Sequence, residues 1–577
     1  MAAKDVDEYG ALITGGAVVL VAVLWAGGAT SALLCGHRVP KDRPLAGVLA
    51  LDDPGDPSSA WRAQVGPPVV YWIATGLVLC AALGLVIAAC HFLGARLRPA
   101  TSDGLAGRAQ VRRAAGARTL TRRAQVLRPS LVEPKSVDVG YRLGRAAGVD
   151  CWASVEDSLV VLGPPRSGKG LHLVIPAILD APGSVVTTST RPDNLAATIG
   201  ARAALGPVAV FDPQQLAPGI AATMRWSPIR GCEVPRVAMA RAKALCAEPG
   251  TGIDNGAFWA QQCLLAVRCL LHAAALEHRS PAELYRWSLS PLAAEDALDI
   301  LRRHPDSAAS WVNALETILS ADPRQRDSTW AMVTNTFAAL GDPDVLDAVS
   351  PRDGEHFDPD AFLRDRGSLF LIGTAAGASA TANLVAALVD DIVESARRLA
   401  AVSTGARLDP PLAVILDEAA NYPLPSLPSM MSEGGGTGIT TFVVLQSLAQ
   451  ARARWGQHEA AAIWDAAIVK LVLGGTGSAD DLRDLSALIG NRQQRRTNDS
   501  RGPDGRRTTS TSVHEVPILD TGRLRTLPFG QAVLLLRAAP PILLGLEPWT
   551  SRRDAARLQR QRATIEDVLR HGARNAS

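Results

Sequence analysis

The run LVVLGPPRSGKG, Leu159 to Gly170, constrains this chain more than any other stretch. Four apolar residues stop at a glycine, the backbone turns through two prolines, and Gly-Lys-Gly opens a helical pattern that reaches Leu179. A strand, a glycine-rich turn and a helix start in that order form a phosphate cradle. Backbone N–H groups and the helix N-terminus face the anion, and a lysine adds a point charge. The usual pattern, GxxxxGK[ST], has a hydroxyl where Gly170 stands. Lys169 is one of only six lysines among 59 basic residues, so it is not background composition. Gly163, Pro164, Pro165, Arg166, Ser167, Gly168, Lys169, Gly170 and Leu171 are therefore the expected nucleotide loop, with Ser167 as an additional hydroxyl.

From about Gly144 onward, short apolar runs alternate with helical stretches. The runs are SLVVLG (158–163), SVVTTST (184–190), VAVFDP (208–213), SLFLIGT (368–374), LAVILDE (412–418), TFVVLQS (441–447) and IVKLVLGG (468–475). Being nearly continuous in Val, Ile and Leu, they predict strands covered on both faces by helices, hence an α/β fold with a parallel-rich sheet. Between the third and fourth runs, residues 235–349 read as helices only and are long enough for an inserted all-α domain. Its Trp259, Trp287, Trp311 and Trp330 are expected in a core rather than on a ligand. NRQQRRTNDSRGPDGRRTTSTS (491–512) is polar, arginine-rich and without an apolar face, and reads as an exposed, strand-free loop.

A second element supports the loop. LAVILDEAAN ends a five-residue apolar strand in two carboxylates, Asp417 and Glu418. If that strand lies beside the loop-bearing one, Asp417 can hold Mg²⁺ through water and Glu418 can orient and deprotonate an attacking water. Gln446, at the end of the next apolar run, is placed to sense a γ-phosphate. These residues predict an enzyme that binds and hydrolyses ATP with Mg²⁺, with Lys169, Asp417, Glu418 and Gln446 as its catalytic set.

The N-terminal region belongs to a different solvent. Ala11–Leu34 carries no charge over 24 residues, and Val69–Leu93 is 25 residues of similar character, so each exceeds the roughly 30 Å of bilayer hydrocarbon. The acidic leader and the second span argue against a cleaved signal. Nine arginines between Arg96 and Arg128, with Asp103 as the only acid, follow the second span and predict a cytoplasmic side there. That makes residues 1–94 a transmembrane hairpin with both termini cytoplasmic and residues 95–143 a basic juxtamembrane segment. Residues 144–234 and 350–577 then form the ATPase domain, interrupted by 235–349. The eight cysteines show neither CxxC nor zinc spacing and are expected to be reduced.

These segments together resemble the type IV secretion coupling proteins, the VirD4/TraG-like conjugative DNA-transfer ATPases. The resemblance is carried by the two-span anchor, GPPRSGKGLHLVIPAIL, TSTRPDNL, FDPQ, WSPI, the helical insert, LDEAANYPLPSLPSMMSEGGGTGI, LQSLAQARARWG and IWDAAIVKLVLGG. It implies a RecA-like P-loop NTPase domain in a multi-pass protein of the inner (cytoplasmic) membrane, assembled as a homo-hexamer. It also implies a relaxase-bound single-stranded DNA as substrate, handed to the channel components of a type IV secretion system. Family members often carry Gly-Lys-Gly, so Gly170 is compatible with a working site in which water replaces the hydroxyl on Mg²⁺. SEGGGTGITT offers no basic residue before Arg452, which leaves Arg324 or Arg326 as the choices for an arginine finger. Two other functions fit less of the chain. A slow or non-hydrolysing receptor for exported proteins would retain the loop, whereas an FtsK-like double-stranded DNA pump predicts a C-terminal winged helix, and only one helix's worth of chain follows Trp549.

Overall fold

The computed structural model describes residues 20–39, 45–97, 104–220, 224–246, 256–373, 378–501 and 507–576. It divides into two units, Met1–Pro99 and Ala100–Ser577.

The first unit contains an apolar helix, Leu20–Leu34, and a longer one, Pro68–Leu97. The stretch Pro68–Leu85 is long and apolar enough to cross a membrane, and only 17% of it is buried within the protein. Residues 11–19 of the first expected span lie outside the described residues. Small residues bring the two helices together. A Cβ on Gly27 would stand 2.5 Å from Thr75 Oγ1, and one on Gly28 would stand 2.2 Å from the Trp61 ring, so neither position admits a larger side chain. Trp61 is buried beneath Ala32, Ala46 and Tyr71, and its Nε1 donates to the Tyr71 hydroxyl at 3.1 Å.

The second unit is built on an eleven-stranded sheet. In chain order its strands are β1 (Gly140–Ala146), β2 (Val149–Ser154), β3 (Leu159–Leu162), β4 (Val185–Ser189), β5 (Val208–Phe211), β6 (Ser368–Ile372), β7 (Leu412–Leu416), β8 (Ile439–Leu445) and β9 (Val469–Leu473). A separate pair, β10 (Asn491–Arg501) and β11 (Arg507–Pro517), precedes β12 (Gln531–Leu536) and β13 (Ile542–Gly545). The sheet order is β2-β1-β13-β12-β9-β3-β8-β7-β4-β6-β5. From β9 to β5 every pairing is parallel, and from β9 outward through β12, β13, β1 and β2 every pairing is antiparallel. All seven parallel strands coincide with the apolar runs read from the sequence. β3, β4, β6, β7 and β8 are buried along their full length, as strands covered on both faces must be.

Two expectations are corrected. Residues 491–512 are not strand-free: β10 and β11 form an antiparallel ribbon in register from Asn491↔Pro517 to Arg501↔Arg507. The strand that ends in the two carboxylates, β7, does not lie beside the loop strand, because β8 sits between β3 and β7. The register still brings their ends together, with Leu162 opposite Leu445 and Leu416 opposite Val443.

Between β5 and β6 the described residues form helices and one isolated bridge. Three of these helices start on the same device. Asp322, Asp342 and Asp358 each accept a hydrogen bond from the backbone N–H two residues on, and each is followed by a proline in the first turn, where its missing N–H costs nothing. Gly256–Leu276 is apolar enough to pass for a membrane span, yet 61% of it is buried by its neighbours as the central helix of this layer. Trp287, Trp311 and Trp330 are buried in this core, and Trp259 is half-buried.

The arginines after the second apolar helix are partly structural. Arg128 pairs with Asp409 at 2.9 Å, both side chains nearly buried, and Arg123 pairs with Glu156. Val111, Leu120, Ala124 and Leu127 from the same segment are buried in a core with β1 and β2.

Candidate functional site

Parallel strands all deliver their C-terminal ends to one edge, where side chains from different parts of the chain converge. Here that edge receives the loop after β3, Thr190 after β4, Asp417 and Glu418 after β7, and Gln446 after β8.

The loop is bent by two residues in the left-handed region, Arg166 (φ 63°) and Gly168 (φ 88°). At Gly168 a side chain is also sterically barred, since a Cβ would stand 2.7 Å from His172 Nδ1 and 2.9 Å from the Phe529 ring. Gly163 N–H donates to Leu445 O at 3.1 Å, which fixes the start of the loop to β8. Pro164 packs over Gly475, where its Cγ would stand 3.0 Å from a Cβ. Pro165 and Arg166 are exposed. Ser167 Oγ is buried with no hydrogen-bond partner among the described residues, so the loop holds a polar atom that the protein itself does not satisfy.

Lys169 is buried, and its Nζ donates to Gly163 O at 2.5 Å and Pro164 O at 3.2 Å. Burial lowers its pKa, and the negative charges of Asp417 and Glu418 work against that shift. The helix that follows is not regular. Gly170–Val174 is a π-turn in which Ile175 N–H reaches back to Gly170 O, and an α-helix runs only over Ile175–Asp180. Pro176 supplies a reason, because it has no N–H for the i−4 carbonyl and its ring crowds that carbonyl. Leu171 points into an apolar cluster with Ile175, Ala197, Trp549 and Leu558.

The two carboxylates have different surroundings. Asp417 accepts from Asn194 Nδ2 at 2.9 Å, and its backbone carbonyl accepts from Thr188 Oγ1 at 3.1 Å. Burial raises the Asp417 pKa, while the Asn194 hydrogen bond and the Lys169 charge favour the ionised form. Glu418 is left-handed (φ 54°, ψ 49°), a conformation that turns its side chain away from the direction of β7. Thr190 Oγ1 at 3.0 Å and Asn421 Nδ2 at 2.9 Å both donate to Glu418 Oε2, and Gln446 Nε2 donates to Oε1 at 3.2 Å. Gln446 is thus tied to the second carboxylate.

The structure brings Lys169, Asp417, Glu418 and Gln446 to one edge. It adds Thr190, Asn194 and Asn421, which sequence reasoning missed as individual residues. Their signal was a short polar side chain just beyond a buried strand: Thr190 and Asn194 lie in TSTRPDNL and Asn421 in LDEAAN. Among the described residues no group of three or more His, Cys, Asp and Glu could hold a metal. A Mg²⁺ ion here would therefore share its shell between few protein oxygens, water and phosphate, as that ion commonly does.

Residues 112–248 match the family model for type IV secretory system conjugative DNA transfer, and residues 411–529 match that for the TraM recognition site of TraD and TraG. No curated protein matches the chain in sequence. Among solved structures, the bacterial conjugative coupling protein TrwBdeltaN70 in its unbound monoclinic form superposes with a TM-score of 0.54 at 18% identity, over 75% of this chain and 92% of that one. The plasmid coupling protein TrwB in complex with ADP and Mg²⁺ gives 0.52 at 18% identity, over 75% and 93%. The same protein with the non-hydrolysable ATP analogue ADPNP gives 0.53 at 18% identity, over 75% and 93%. The chain thus has the fold of these coupling-protein structures, and over two stretches in chain order, residues 112–248 and 411–529, it is similar to the type IV secretion coupling proteins of conjugative DNA transfer.

Proposed function

We propose that this chain is a membrane-anchored ATPase that couples a relaxase-bound single strand of DNA to a type IV secretion channel and drives or licenses its passage. The observation that carries this reading is the convergence of Lys169, Asp417 and Glu418 at the C-terminal ends of the sheet's parallel strands, beside a loop with an unsatisfied buried hydroxyl. In this reading Lys169 exchanges the loop carbonyls for β- and γ-phosphate oxygens, and the N–H groups of the first helical turn, which have no acceptor within the helix, face the phosphates. Asp417 would hold the Mg²⁺ that accompanies ATP, which would supply neutralisation of phosphate charge. Glu418 accepts the proton of the attacking water, with Thr190, Asn421 and Gln446 fixing its orientation.

The domain limits read from the sequence belong to the same proposal: 1–94 is a hairpin in the inner membrane with both termini cytoplasmic, 95–143 its basic collar, 144–234 with 350–577 the ATPase domain, and 235–349 the substrate-recognising insert. Subunits assemble as a homo-hexamer. TrwB has been solved with ADP and Mg²⁺, which supports the same nucleotide and ion here.

The test is ATP turnover by the full-length protein in lipid nanodiscs, with and without single-stranded DNA. Turnover that rises with DNA and vanishes in Lys169→Ala is expected. Nucleotide binding without turnover under either condition would overturn the motor in favour of a docking receptor.

A further inference from the structure

The loop lacks the hydroxyl that P-loops normally direct at Mg²⁺, because position 170 is glycine. A side chain from elsewhere comes close to that position. Asn194, in the helix Asp193–Arg202 after β4, is 5% exposed, and its carboxamide lies between the loop and the first carboxylate. Its Nδ2 donates to Asp417 Oδ2 at 2.9 Å, and its Oδ1 stands 3.7 Å from the point where a Cβ on Gly170 would be. The two ends of the amide are distinguished by the partner, since a carboxylate oxygen requires the donor and so turns the carbonyl oxygen toward Gly170. The hydrogen bonds seen at Asn194 run through its Nδ2 and its backbone carbonyl.

We propose that Asn194 Oδ1 is the protein oxygen that replaces the missing P-loop hydroxyl as a direct ligand of the Mg²⁺ bound with ATP. The inference rests on the nucleotide site proposed above and assigns it a ligand that the loop sequence does not contain. A neutral amide oxygen is a suitable hard donor for Mg²⁺. One carboxamide then does two jobs, orienting Asp417 through its nitrogen and meeting the ion through its oxygen. The geometry also explains why glycine at position 170 is compatible with the site. A Ser at 170 would find only ordinary van der Waals contact with Asn194, so the hydroxyl could be restored without displacing the amide.

The experiment measures binding, not turnover. Full-length protein in nanodiscs is titrated with ADPNP in EDTA and then with Mn²⁺ present, free Mn²⁺ being followed by EPR. In wild type, Mn²⁺ should tighten binding of the analogue. Asn194→Ala should lose roughly tenfold or more of the Mn²⁺ affinity, at least the scale on which metal sites respond to loss of an outer-shell partner, while binding in EDTA stays within about twofold. Adding Gly170→Ser to Asn194→Ala should restore most of the lost metal affinity. A second measurement needs no variant fold: with the protein's asparagine carboxamides labelled with ¹³C, ENDOR of the wild-type Mn²⁺·ADPNP complex should detect a carbon one bond beyond a coordinating oxygen. Full Mn²⁺ affinity in Asn194→Ala, failure of Gly170→Ser to rescue, or no ¹³C coupling in wild type overturns the assignment. Absence of any ADPNP binding by wild type instead overturns the nucleotide reading on which it depends.

Discussion

Glu418→Gln separates binding from chemistry because of how Glu418 is held. Two donors, Thr190 Oγ1 and Asn421 Nδ2, converge on Oε2, and one, Gln446 Nε2, reaches Oε1. A glutamine can present its single oxygen to the first pair and its NH₂ to Gln446. The Gln446 amide then needs only to rotate by half a turn to offer its own oxygen, so each pairing is kept as a neutral hydrogen bond. Neutral hydrogen bonds are weaker than those to a carboxylate by about 1 kcal/mol each, which over three bonds sets an upper limit of about 3 kcal/mol on the stability loss. The left-handed backbone at 418 treats Glu and Gln alike, and adds nothing to the difference.

The loss in chemistry is larger. Removing a general base costs on the order of 10² to 10⁴ in rate, about 3 to 5 kcal/mol of barrier. Full-length protein in nanodiscs should therefore bind a fluorescent ATP analogue as wild type does, while steady-state phosphate release falls by at least about a hundredfold. Thr190→Val provides the control: it removes one donor but leaves the base, so turnover should fall only about tenfold, the cost of one lost hydrogen bond to a charged group. If Glu418→Gln hydrolysed ATP at the wild-type rate, Glu418 would not be the base and the arrangement of three donors would have only a structural purpose.

Three further outcomes follow from particular contacts. Arg202 is fully buried, donates to Ser368 Oγ and to the carbonyls of Ala181 and Gly183, and burial lowers its pKa to about 10, so it stays charged at neutral pH. Arg202→Met should strand those acceptors and cost about 3 kcal/mol in urea denaturation; no loss would show that water replaces the guanidinium. Burial pushes the Asp390 carboxyl up to about 6 against a hydrogen bond from Ser426, so folding takes up a proton and the group's contribution to stability, full below about pH 4, is lost as pH rises through 6. Between pH 4 and 7 wild type should therefore lose on the order of 3 kcal/mol relative to Asp390→Asn, and a difference independent of pH would refute the shift. A reporter fused after Leu131 should be cytosolic and one inserted near Pro57 external, because the arginine collar follows the second span; reversed labelling would overturn the hairpin.

The sequence was legible where burial was two-sided. A strand covered by helices on both faces must be apolar at every position, so LVVL, LAVIL and FVVL announce themselves without any partner being known. β1 and β2 are partly exposed and carry Arg142, Arg145 and Asp150, which erases that signal. β12 and β13 did carry short apolar runs, QAVLLL and ILLG, which could have been read as a hairpin across Ala-Pro-Pro. The ribbon β10–β11 had no such trace. Its pairing is satisfied by backbone hydrogen bonds between two polar strands, and none of its described side chains, 491–497 and 510–517, is buried, so no periodicity is imposed on them. Strand order was equally silent, which is why β8 was not foreseen between β3 and β7. At the site, Lys169, Asp417, Glu418 and Gln446 could be read because each ends an apolar run or follows one closely. Thr190, Asn194 and Asn421 could not, since a polar residue in a connecting segment looks the same in sequence whether it faces water or a carboxylate.

What holds the polar site in register is an apolar cluster behind it. Leu171, Ile175 and Leu179 from the helix after the loop meet Ala197 and Ala201 from the helix that carries Asn194, and Trp549 and Leu558 from the end of the chain fill the space between them. Arg552 adds an ion pair to Asp180 at 2.7 Å, which ties the last turn of the loop's helix to the same C-terminal segment. The C-terminal helix Ala555–Ala576 lies along Asp193–Arg202 closely enough that a Cβ on Gly200 would stand 2.9 Å from Gln561 Cδ. A packed interior yields little under load, so these three elements move together or not at all. The helix that positions Asn194 against Asp417 and the helix that positions Lys169 against the loop are therefore fixed to each other from the side away from the phosphates. A site whose loop lacks its own metal hydroxyl depends on that fixing more than most, because its replacement oxygen comes from a different helix.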